Sequence, residues 1–390
     1  MAGVNRPMRP QDPFIGRDIL NGQFQILQKI GTGGMGAVYK ALQPEMNRMV
    51  GVKILHPKLT NRKDLASRFR REARAMSHLT HPNTVKVFLY GELEDGSLYI
   101  VMEFLEGKNL NQTVRGEGPM QMPRALPILI QVCGALEEAH RAGIIHRDLK
   151  PENIFLCSQG GMKDYPKVLD FGLAKVTERE MRPGSLILTQ EGMVFGTPEF
   201  MSPEQAQGKT LTSGSDIYSL AVILYEVLTG KLPFEAKGAM DYLQLHVSGR
   251  PIPLSRRVEG RVFPPLLDQV MDRALAKRPE DRFPSAADFA LALQAVLDGR
   301  TQAGGMAPPP PPSANGANLR VVPPPQHPPH HAHHAAPIPS TTSSMGSDGA
   351  AVRAFKPRPN PLFLLGTVAL GCLVVGAAVA VLVMRFLMAH

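Results

Sequence analysis

The sequence predicts an α+β fold of two lobes, a small β-rich one followed by a larger helical one, with a linker and one membrane-crossing helix behind them. Three observations carry this prediction. Between residues 24 and 105 the apolar residues fall mostly in short β-type runs, and between 123 and 297 they recur every three and four residues. Residues 362–384 contain no charged side chain. A chain of 390 residues exceeds one ordinary core and has ample material for a large one.

Residues 1–22, with Pro7, Pro10 and Pro13, lack periodicity and are expected to form a flexible leader. No apolar run follows their basic residues, so they do not form a secretory signal. The small lobe, 23–105, has strand-like runs at 23–30, 37–41, 49–55 and 97–104 and one basic helical stretch at 63–78. The larger lobe, 106–298, has helical patterns at 124–142, 214–229, 265–276 and 285–297.

From 299 to 361 the composition shifts to Pro, Ala, His, Gly and Ser, which marks a disordered linker. A flexible chain of that length spans on the order of 45 Å, and its prolines extend it. The apolar stretch 362–384, at about 1.5 Å per residue, is long enough for the ~30 Å core of a bilayer. Arg353, Lys356 and Arg358 precede it and Arg385 follows, so the positive-inside rule places the N-terminal part in the cytoplasm. The expected location is therefore the inner (cytoplasmic) membrane, crossed once, with 385–390 as a short tail on the other side. Gly366, Gly371 and Gly376 recur every five residues, not the four of a close-packing motif, which leaves homodimerisation through this helix open.

Three cysteines, Cys133, Cys157 and Cys372, are odd in number and far apart, which argues against a disulfide framework and for a reducing cytosol. The net charge of +9 is spread along the chain, as on an ordinary solvated surface, and no nucleic-acid partner is expected. The cluster His327, His330, His331, His333 and His334 offers imidazoles to a metal, but nothing in a proline-rich linker fixes their geometry, and plain disorder is the simpler account.

Gly31, Gly33 and Gly36 form a GxGxxG element followed by Val38, where backbone amides can approach phosphate oxygens without a Cβ in the way. A dinucleotide fold uses the same letters but needs a helix opening at the last glycine and an acid about 20 residues further on. Here a strand follows, and Lys53 stands in an apolar run. The string from His146 to Asn153 is rarer. Asp148 can orient the proton of an attacking hydroxyl, and Asn153 offers an amide oxygen to a hard cation. Asp170, in Asp170-Phe171-Gly172, supplies a second oxygen. Two oxygens plus phosphates suit Mg²⁺, with Mn²⁺ as the alternative. His146 is expected to be structural.

With these motifs in order from about residue 24 to 297, the chain resembles the eukaryotic-like (Hanks-type) protein kinases, above all the bacterial transmembrane serine/threonine kinases. The resemblance implies ATP as phosphate donor and serine or threonine hydroxyls of proteins as acceptors. It implies that Lys53 pairs with the phosphates and with Glu72, and that Ile30, Val38, Gly51 and the stretch Met102, Glu103 and Leu105 line the adenine slot. Gly51 replaces the family's usual alanine. It also implies that Lys150 reaches the transferred phosphoryl, that Thr197 hydrogen-bonds near Asp148 and Lys150, and that Glu204 pairs with Arg282. The 196–204 segment would be the platform for a protein substrate. Asp216 would brace the Asp148 loop, with Tyr218 standing where tryptophan is common.

Arg147 before Asp148 implies a phosphorylated activation segment, with Thr177, Ser185 and Thr189 as candidates and Thr189 preferred. Glu191 would supply part of that charge permanently. A pseudokinase scaffold is the competing class, disfavoured by intact Lys53, Asp148, Asn153 and Asp170. A small-molecule kinase is disfavoured by the substrate platform.

Overall fold

A computed structural model describes residues 12–33, 36–55, 63–171 and 197–299. The small lobe is a six-stranded antiparallel sheet, β1 (Asp18–Ile19), β2 (Phe24–Gly33), β3 (Gly36–Gln43), β4 (Arg48–Leu55), β5 (Val87–Glu92) and β6 (Leu98–Glu103), in the order β1-β2-β3-β4-β6-β5. Strand alternation sorts β3 and β4 between two faces. Ala37, Tyr39 and Ala41 of β3, with Val50, Val52 and Ile54 of β4, join Phe24 and Ile26 in an outer apolar cluster. The alternate residues Gly36, Val38, Gly51, Lys53 and Leu55 therefore face the other way.

On that inner side lies α1 (Lys63–Ser77), whose buried positions Phe69, Glu72, Ala73 and Met76 follow the i, i+3, i+4, i+7 spacing of one helix face. Three of them pack with Leu98 and Ile100.

The expected flexible leader 1–22 is corrected from residue 12 onward. The Asp12 carboxylate accepts from Lys29 Nζ (2.9 Å) and from the Tyr39 hydroxyl (3.1 Å), and Phe14 stacks edge-on against Tyr39. Gly16 N and Ile26 N exchange backbone bonds with Ile26 O and Arg17 O, and β1 continues the pairing onto β2. The partners are all later in the chain, so no local periodicity announces the docking.

The larger lobe contains α2 (Leu110–Glu117), α3 (Met122–Arg141), α4 (Pro203–Ala206), α5 (Ser213–Thr229), α6 (Ala239–Ser248), α7 (Leu254–Arg257), α8 (Pro265–Ala274) and α9 (Ala286–Leu297). α5 is buried almost all round, as a central helix must be, and α3 and α9 pack together. A three-stranded sheet, β7 (Gly107–Asn109), β8 (Ile154–Gln159) and β9 (Met162–Val168), in the order β7-β8-β9, carries the loop between α3 and β8. Cys133 and Cys157 are free, buried thiols. Among the described residues no helix is long and apolar enough to cross a membrane. The linker 299–361 beyond its first residue, the stretch 362–384, the histidine cluster, Gly172, Thr177, Ser185, Thr189 and Glu191 lie outside the described residues.

Candidate active site

The inner face of the small sheet forms the roof of the site. Register places Val38 opposite Lys53 on β3 and β4, and Ile100 and Met102 of β6 opposite Lys53 and Gly51. Gly31 pairs with Val38 and Gly33 with Gly36, so the glycine element lies at the facing ends of two paired strands. A Cβ on Gly36 would lie 2.1 Å from the Ile54 carbonyl oxygen, which bars any larger residue there. At Gly51 the methyl of an alanine would meet Met102 Cγ at 3.3 Å, so Met102 already fills much of the space that this departure from the family opens. Ile30 is exposed at the end of the roof. The Glu103 carboxylate is turned aside: Oε1 accepts from Lys167 Nζ (2.7 Å) and from Lys86 N (2.8 Å). Leu105 follows, partly buried.

The floor is the 142–153 loop, and Asp216 at the start of α5 holds it. Asp216 Oδ2 accepts from His146 N (2.8 Å) and His140 Nε2 (2.7 Å), and Oδ1 from Arg147 N (3.0 Å). Gln205 Nε2 donates to Arg147 O at 2.5 Å. These bonds clamp both sides of a residue with a left-handed backbone, φ +71°, a conformation that persists only where surroundings over-determine it. Burial alone would raise the Asp216 carboxyl, but its bond to His140 and the neighbouring histidine charges hold it below the usual range. His146 is fully buried, donates from Nε2 to Leu169 O (2.8 Å) and packs against Phe171, while its Nδ1 has no hydrogen-bond partner among the described residues.

Beyond Arg147 the loop presents its chemistry. Lys150 Nζ donates to Asp148 Oδ2 at 2.7 Å, and Asn153 Nδ2 donates to the Asp148 carbonyl oxygen at 2.6 Å. With its nitrogen engaged, Asn153 has its amide oxygen left for a cation. Across the cleft Lys53 Nζ donates to Asp170 Oδ2 at 2.7 Å. Burial would raise the Asp170 carboxyl, but Lys53, by charge and hydrogen bond, keeps it below the ordinary range with help from His146 and Lys150. An ionised carboxylate and an amide oxygen fit Mg²⁺, which binds few protein groups and keeps several waters. No cage of three or more His, Cys, Asp or Glu side chains exists among the described residues. When bound, Mg²⁺ would neutralise charge on phosphate oxygens.

The remaining expected residues divide. Glu72 is buried on the inner face of α1, not an exposed helix acid. Glu204 and Arg282 form a buried two-pronged pair at 2.8 and 2.9 Å. Thr197 immediately precedes the short turn Pro198–Phe200 without capping it by its side chain, and among the described residues that side chain makes no hydrogen bond to Asp148 or Lys150. Asp148 is instead bonded directly by Lys150.

Sequence reasoning missed two acids, Glu152 within the loop and Glu226 on α5. Glu152 Oε1 accepts from Asn111 Nδ2 at 2.8 Å, while its Oε2 is buried without a partner. Burial pushes the Glu226 carboxyl up to about 7, Glu152 and Glu199 repel it further, and Arg115 opposes them. The available signal was an acid inside the otherwise apolar stretch of α5. Folded protein holds this proton between 4.5, the ordinary value, and about 7, so stability falls as pH rises through that window. Glu226→Gln is expected to be the more stable form above pH 7, by on the order of 1–2 kcal/mol after allowance for partial exposure, with a flatter profile below. Denaturant midpoints measured from pH 4.5 to 8 check this, and a profile parallel to that of the parent rejects it.

The family model described as "Protein kinase domain" matches residues 24–291. The chain belongs to the protein kinase family. The kinase domain is 42% identical over 285 residues to serine/threonine-protein kinase pkn3 of Myxococcus xanthus, covering 73% of this chain and 52% of that protein. It is 40% identical over 283 residues to serine/threonine-protein kinase PknB of Mycobacterium tuberculosis, covering 72% and 44%. The chain thus spans about half the length of the curated relatives it matches. Among solved structures, the Mycobacterium tuberculosis PknI kinase domain superposes with a TM-score of 0.56 at 26% identity, over 72% of this chain and 98% of that one. The two-lobed kinase fold expected from the sequence is the fold observed. Members of the kinase family use ATP and a divalent metal, the chemistry for which Lys53, Asn153 and Asp170 are disposed.

Proposed function

We propose that this protein is a serine/threonine protein kinase that transfers the γ-phosphoryl group of ATP to serine and threonine hydroxyls of proteins, itself included. The observation that carries this is the pairing of Lys150 with Asp148 on a loop held by Asp216, facing Lys53 and Asp170. Asp148 orients the acceptor hydroxyl, and Lys150 and Lys53 stabilise charge that develops on the phosphoryl oxygens. Asn153 and Asp170 would hold Mg²⁺, or Mn²⁺ in its place. The relatives' names support serine and threonine over tyrosine, as does Lys150 two residues after Asp148.

The proposal extends to placement and control. The charge-free stretch 362–384 anchors the chain in the inner membrane with the kinase domain in the cytoplasm. Thr189 is the autophosphorylation site, its phosphate partnered by Arg147.

Full-length protein incubated with labelled ATP and Mg²⁺ is expected to place label on its own Ser/Thr residues, Thr189 among them, and on histone. Nucleotide binding without any label would instead favour a scaffold that keeps the fold and lacks the chemistry.

A further inference from the structure

His246 of α6 is wholly buried and takes no part in the phosphate site. Its ring stands among Phe234, Tyr218 and Tyr242, at 5.0, 5.6 and 6.5 Å between centroids. Both nitrogens are engaged. Nε2 lies 3.0 Å from the Glu199 carbonyl oxygen and Nδ1 lies 2.9 Å from the Tyr218 hydroxyl. A carbonyl can only accept, so Nε2 carries the proton, and Nδ1 accepts from Tyr218. Burial, reinforced by the charge of Lys277, pushes the imidazole down to about 4, so this neutral tautomer persists at neutral pH. Lys277 in turn donates to Leu245 O (3.1 Å) and His246 O (2.9 Å), which fixes the end of α6.

The relay has defined ends. Tyr218 is two residues after Asp216, whose carboxylate holds His146 and Arg147. Glu199 is the middle residue of the turn Pro198–Phe200. Two sets of hydrogen bonds, one holding the backbone beside Asp148 and one reaching the carbonyl of that turn, are thus joined by the first turns of α5. Among the described residues, none of Tyr218, His246 and Glu199 is hydrogen-bonded to Lys53, Asn153 or Asp170.

We infer that His246 is a positioning residue for the protein substrate, setting the Pro198–Phe200 turn against the Asp148 loop through Tyr218. The inference rests on the kinase activity proposed above, with the 196–204 segment as substrate platform. Glu204 and Arg282 anchor the far end of the platform by charge, and His246 anchors its near end by two neutral hydrogen bonds. Losing them displaces the surface on which a peptide lies and leaves the nucleotide side untouched.

Steady-state kinetics of the full chain, with histone as acceptor, tests this. His246→Ala is expected to raise the histone KM on the order of 10-fold, as for two lost hydrogen bonds, while the ATP KM stays within about twofold of the parent. His246→Gln, whose amide can donate to Glu199 and accept from Tyr218, restores most of the loss. Tyr218→Phe, which removes one hydroxyl, raises the histone KM about 3- to 5-fold, and it decides the matter with His246→Gln if His246→Ala does not fold. An unchanged histone KM in folded His246→Ala or in Tyr218→Phe overturns the inference. So does an ATP KM that rises in step with the histone KM, or a glutamine variant no better than alanine. If the parent labels itself and histone but the variants match it, only the role of His246 falls; if the parent labels nothing, the kinase proposal falls with it.

Discussion

Asp148→Asn is expected to slow phosphate transfer by about 10³-fold or more while ATP binding in Mg²⁺ stays close to that of the parent. The two effects separate because the two halves of Asp148 do different things. Its carboxylate, bonded by Lys150 Nζ, is the group able to orient a hydroxyl proton, and asparagine cannot take that proton. Its backbone carbonyl holds the Asn153 amide at 2.6 Å, and an isosteric asparagine keeps that bond and the metal oxygen it aims. Lys53→Met should behave differently. It strands the partly buried Asp170 carboxylate, whose charge is held by Lys53, so nucleotide binding and transfer fall together. Single-turnover transfer of labelled phosphate, read beside a nucleotide-binding titration, distinguishes the two variants. An Asp148→Asn protein that retains a tenth of the parent rate removes Asp148 from the role given to it.

Arg282→Ala is expected to destabilise the folded chain by about 3–5 kcal/mol, the cost of leaving one partner of a buried ion pair uncompensated. All five guanidinium N–H donors are used. Nε donates to Ala276 O (2.8 Å), and the terminal nitrogens donate to both Glu204 oxygens, to Gly214 O (2.8 Å) and to Lys277 O (3.0 Å). The Tyr218 ring lies 4.9 Å away, so the planar group is also stacked. Lysine cannot reproduce this fork, and Arg282→Lys should recover little. Replacing both members, Glu204→Leu with Arg282→Met, should recover most of the loss, since no buried charge is then left alone.

Burial alone would raise the Glu204 carboxyl, yet Arg282 and Ser215 hold it below its ordinary 4.5. The pair's stability is therefore present above that value and lost as pH falls through the folded-state value. Denaturant midpoints at pH 7 decide the matter, and a shift under 1 kcal/mol for Arg282→Ala would show the pair to be dispensable.

Much of the site is legible in the chain because its chemistry sits in short strings. Asp148, Lys150 and Asn153 are near neighbours, and their spacing alone places a candidate base and a candidate metal ligand on one loop. The inward face of Lys53 follows from strand alternation, since Val50, Val52 and Ile54 claim the other side. α6 was not legible: its only buried residues are Leu243 and His246, too few for a helical stripe. The docking of residues 12–19 was hidden for a different reason. Asp12 is held by Lys29 and Tyr39, 17 and 27 residues later, so the local composition of a leader says nothing about it.

The sequence by itself determined the family, the two lobes and the candidates for the phosphate chemistry, because each depends on residue type and short-range spacing. Tertiary structure alone decided which charges meet. Lys53 and Asp170 are 117 residues apart, Glu204 and Arg282 are 78 apart, and His246 reaches the Glu199 carbonyl across 47. Such pairs exist only once packing has brought distant segments together and removed the water that would otherwise satisfy them.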